Sequence, residues 1–142
     1  MLYTIILNIH NIMRWVVILT GAYAVFRAMQ NEKVWDSSAN LARSLFVNSM
    51  NIQFILGIIL YEFSPLMQEP FSVAIKDPQS RFYLVEHPTI MIAALALAHI
   101  GSAKVRKATT DKQKYKFAKI FFSISLILVL AGVPWLRRLL PV

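Results

Sequence analysis

Residues 2–26 read LYTIILNIHNIMRWVVILTGAYAVF, twenty-five residues with no acidic side chain and one basic one, Arg14. A helix rises 1.5 Å per residue, so this stretch reaches ~37 Å, enough to cross ~30 Å of hydrocarbon. Three more stretches of similar character follow: 42–63, 82–103 and 117–136. With 57% hydrophobic residues in 142 and a mean hydropathy of +0.55, the chain is far more apolar than a soluble domain of its size. The sequence predicts an all-α, single-domain, four-helix transmembrane bundle with helices at about 2–26, 42–63, 78–103 and 117–136.

The absence of cysteine excludes disulfides, thiolate metal sites, iron–sulfur clusters and covalent haem attachment. The first apolar stretch has no basic segment before it and carries Arg14, so it is read as a retained helix rather than a cleaved leader. Lys104, Arg106, Lys107, Lys112, Lys114, Lys116 and Lys119 crowd the connection between the third and fourth stretches against one acid, Asp111. They supply six of the eight net positive charges. Lying between two spans, this run points to a cytoplasmic connection beside anionic lipid, not to nucleic acid. Both termini and the 64–80 connection then face outward, and the expected location is a bacterial inner membrane. Trp135, Arg137 and Arg138 are read as interfacial anchors.

Polar residues inside the spans are costly and mark candidate sites. The first span carries Asn8, His10, Asn11 and Arg14, with His10 and Arg14 four apart on one face. The second carries Asn48 and Asn51 on one face and Gln53 turned away from both; interhelical hydrogen bonds or contact with a cofactor account for them. In the third, Asp77 before Pro78 predicts an N-cap and helix start, and Pro88 predicts a kink that re-aims His87. His10 and His87 come to one depth on two helices running the same way, the arrangement needed by two axial ligands of one iron. His99, twelve residues below His87, has no histidine partner at its level and is read as a hydrogen-bonded polar residue. Arg14 and Arg81 are candidates to face anionic haem propionates, and a Glu86–Arg14 pair is a structural alternative.

Asn8-Ile-His-Asn-Ile-Met-Arg-Trp15, Gln53-Phe-Ile-Leu-Gly57 with Tyr61 and Ser64-Pro65, Arg81-Phe-Tyr-Leu-Val-Glu-His-Pro88 with Met91, and Gly132-Val-Pro-Trp135 resemble small bacterial four-helix membrane proteins commonly labelled cytochrome b. The resemblance covers nearly the whole chain. It implies one haem b, with His10 and His87 as its iron ligands. One departure is that relatives often carry a histidine about where Asn51 stands, so here His10 and His87 would form the whole axial pair. The expected role is electron transfer between a membrane donor and a partner near the outer face. The rival is a haem-free accessory subunit of a larger membrane complex. Either role suits a chain of four spans and short connections better than stand-alone enzyme activity does, with lipid and other membrane subunits or further copies of the chain as partners.

Overall fold

An apolar run carries each long helix, and two of the four start on a polar side-chain cap. The computed structural model describes residues 1–30 and 34–135. Helix α1 runs Leu2–Ala28 and α2 Ser37–Glu62. A 3₁₀ turn at Pro65–Gln68 and two single-turn helices, Phe71–Ala74 and Pro78–Arg81, lead through a π-helical turn at Phe82–Glu86 into α3, His87–Lys107. Helix α4 spans Asp111–Gly132. Four spans, the third counted as Pro78–Lys107, are long and apolar enough to cross a membrane.

The helices outrun the hydropathy-based boundaries at their polar ends. Helix α2 starts at Ser37 rather than 42 because the Asp36 carboxylate accepts from the Ala39 N–H at 2.8 Å. Helix α4 starts at Asp111 rather than 117, capped by Thr110, and ends at Gly132 rather than 136. Pro134 cannot donate to the Leu130 carbonyl, which instead accepts from the Trp135 indole N–H at 2.8 Å. Trp135 thus has a helix-ending role beyond that of an anchor; Arg137 and Arg138 lie outside the described residues. Asp77 caps as expected, accepting from Ser80 N at 2.8 Å.

The four long helices form a ring in which α1 packs on α2, α2 on α3, α3 on α4 and α4 on α1, leaving α1 and α3 diagonal. Lipid tails are as apolar as leucine, so association rests on close packing and hydrogen bonds. Small residues supply the packing: Ala94, Ala98 and Ala118 are fully buried beside the edge-to-face pair Phe46 and Phe122, whose centroids are 5.9 Å apart. Side-chain bonds tie neighbouring helices: Thr20 to Ser49 at 2.8 Å, Arg43 to Ser102 at 2.8 Å, and Ser125 to the Ala94 carbonyl at 2.8 Å. The outer faces carry Leu19, Phe26 and Ile127, each more than half exposed, as lipid contact requires.

At the end bearing the basic connection, Trp35 stacks edge-on against Tyr115, which donates to the Val34 carbonyl at 3.1 Å. Asp36 also accepts from Arg27 at 2.8 Å. The Ala39 N–H, with Arg27 adding to it, holds the Asp36 carboxyl below the ordinary carboxylate range. A carboxyl lowered in this way stabilises the fold fully above its unfolded-state pKa, and the benefit is lost as pH falls through the lower folded value. Asp36→Asn keeps a capping oxygen but cannot ionise, so its melting temperature in detergent should be less sensitive than wild type to acidification below about pH 4.

Candidate functional site

The interior between the diagonal helices holds a cavity of about 1000 Å³, at the top of the range usual for small-molecule sites. His10 and Arg14 reach it from α1, Gln53 and Gly57 from α2, and His87 from α3. The His10 and His87 rings meet there with centroids 6.4 Å apart and planes at 72°. The shared depth expected from the sequence is therefore present.

His87 sits where the backbone leaves regular geometry. A regular α-helix would aim the Leu84 carbonyl at Pro88, which has no N–H and whose ring would clash with it. The chain widens into the π turn instead of simply kinking, and the Tyr61 hydroxyl donates to the Leu84 carbonyl at 3.1 Å. Tyr61→Phe removes that donor, and a thermal melt should show a loss of about 1–3 kcal/mol.

The His87 ring is fixed by a 2.7 Å bond between Nδ1 and the Gly132 carbonyl, one of the last carbonyls of α4. A carbonyl only accepts, so Nδ1 carries the proton and Nε2 of the neutral ring keeps its lone pair. Histidine metal ligands are commonly oriented in this way. On α1, the Gln53 amide N–H₂ donates to the His10 carbonyl at 3.1 Å and lies 3.3 Å from His10 Nε2. His10 Nδ1 and Gln53 Oε1 are buried with no hydrogen-bond partner among the described residues. Buried polar atoms left so are costly.

These features test whether two axial imidazoles fit. With a metal–nitrogen bond of ~2 Å and a ring centroid ~1 Å behind the nitrogen, two imidazoles across one metal have centroids about 6 Å apart. The observed separation agrees. Among the described residues no group of three or more His, Cys, Asp or Glu could hold a bare ion. A Cβ at Gly57 would make only ordinary contact with His10, 3.6 Å from its Cε1.

The other candidates separate. Arg14 is only 7% exposed and lines the cavity, whereas Arg81 is paired with Glu86 at 2.9 Å and is not among the lining residues. The ion pair of Glu86 is thus with Arg81, five residues before it. His99 lies apart, its Nε2 donating to Asn51 Oδ1 at 2.7 Å. Tyr61 and the Gly132 carbonyl are supporting groups that reading single residues missed, while Gln53 makes an interhelical bond of the kind expected of it. Gln53, Gly57 and Tyr61 recur every four residues, a period that places them along one side of α2 and was legible in the sequence.

No family model matches the chain, and no curated protein or solved structure matches it.

Proposed function

We propose that this protein is an integral membrane b-type haem protein that passes electrons between a donor dissolved in the membrane and a partner near the outer face of a bacterial inner membrane. The observation that carries this reading is the pair of imidazoles 6.4 Å apart in one cavity, one of them fixed through Nδ1 on the Gly132 carbonyl. A haem b held between them would supply one-electron chemistry at its iron. The remaining work belongs to the chain. His87 presents Nε2 without reorganising, and His10 does so by giving up its long contact with the Gln53 amide. Arg14 offers a positive charge to acidic substituents of the ligand and, by its nearness, favours the more reduced state of the site. The basic connection between α3 and α4, facing the cytoplasm, supports placing this site towards the outer face.

Haem titration of the purified protein in detergent micelles tests the reading. The Soret absorption is expected to saturate at one haem per chain, with a b-type pyridine haemochrome. A protein that develops no specific Soret band would overturn the proposal and leave the accessory-subunit reading in its place.

A further inference from the structure

Leu41, Ser44, Asn48, Asn51, Ile55 and Ile58 follow one another along α2 at spacings of three, four, three, four and three. This alternation is the seam of a coiled coil, the a and d positions of successive heptads. In a lone bundle such a seam would face the interior. Here it faces out: Leu41, Ile55 and Ile58 are each more than half exposed, Asn48 is exposed, and Ser44 and Asn51 are partly so.

The centre of the seam is polar at hydrocarbon depth. Asn51 is fourteen residues from the Ser37 start of α2, or about 21 Å along it, near the middle of the span. Asn48 donates to Ser44 at 3.2 Å, which leaves its carbonyl oxygen and one N–H uncommitted. Asn51 accepts from His99 through its carbonyl oxygen, which leaves its N–H₂ group free to donate. His99, itself exposed, keeps Nδ1 as an acceptor. Lipid tails offer nothing to these groups, and each polar group left bare in hydrocarbon is costly.

We infer that this face of α2 is the contact surface for α2 of a second copy of the same chain, forming a parallel two-fold dimer around Asn48 and Asn51. A carboxamide carries both a donor and an acceptor. Across a two-fold axis each asparagine therefore meets its own complement, and no other partner chemistry is needed. Asparagine at seam positions also fixes register and favours a defined number of strands. Ile58 belongs both to the seam and to the cavity lining, so the second copy would cover that side of the cavity.

The chain has no cysteine, so single introduced cysteines report the contact directly. In liposomes, oxidation of Leu41→Cys and Ile55→Cys protein should give disulfide-linked dimers, while Leu19→Cys and Ile127→Cys, on the exposed faces of α1 and α4, should remain monomeric. Adding Asn48→Leu and Asn51→Leu to Ile55→Cys should weaken dimerisation about tenfold. The inference is overturned if all four positions cross-link alike, if the seam positions stay monomeric, or if losing both amides changes nothing. It is also overturned if Ile55→Cys, oxidised in native membranes, couples only to a different polypeptide. None of these readouts depends on haem.

Discussion

Purified His87→Ala protein is expected to have lost its Soret band, and His10→Ala protein likewise, while His99→Ala retains it at wild-type intensity. The chain has three histidines, so removing either cavity histidine leaves only His99 beyond the other, and His99 is held by Asn51. No imidazole can step in. Losing a group that merely supports a ligand typically costs 10–100-fold in metal affinity, so losing a ligand should weaken haem binding by more than about 100-fold. Helicity measured by circular dichroism should be unchanged in all three variants, which separates ligand loss from unfolding. Free imidazole should restore the band in part for His87→Ala, since the cavity that held the ring remains.

Gly101→Ala is expected to cost more stability than Gly132→Ala or Gly57→Ala. A Cβ at Gly101 would lie 2.4 Å from the Phe121 Cβ and 3.2 Å from its Cγ. Those atoms sit at the root of the side chain and cannot swing aside, so α3 and α4 must move apart. Overpacking of this kind costs about 1–3 kcal/mol. At Gly132 the nearest atom is the Met91 methyl at 2.6 Å, the free end of a flexible chain, and the cost should be smaller. Gly57→Ala meets only His10 Cε1 at 3.6 Å and should fold normally. Thermal melts of the three variants in one detergent would check the order.

The fold was legible because span length and hydropathy respond to the bilayer itself, and four apolar stretches of sufficient length admit few arrangements. Helix ends were less so. Asp36 and Thr110 extend α2 and α4 through polar turns that hydropathy does not register, while Asp77 before Pro78 was readable as a cap. The meeting of His10 and His87 followed from parallel helices and equal depth. What the sequence concealed was how His87 is held, because the Gly132 carbonyl lies forty-five residues away and backbone groups leave no mark in residue identity. The π turn was hidden for a related reason. Pro88 announces a disrupted hydrogen bond, but whether the helix kinks or widens depends on Tyr61 lying beside the Leu84 carbonyl. Asn51 was readable as a polar side chain at span depth, and its bond to His99 shows how that amide is used.

The most direct test of the central claim is the low-temperature EPR spectrum of the ferric protein loaded with haem. If His10 and His87 both hold the iron, the signal is expected to be low-spin and to account for the bound haem. A high-spin signal, or a protein that takes up no haem to give any signal, would contradict the assignment of His10 and His87 as the axial pair.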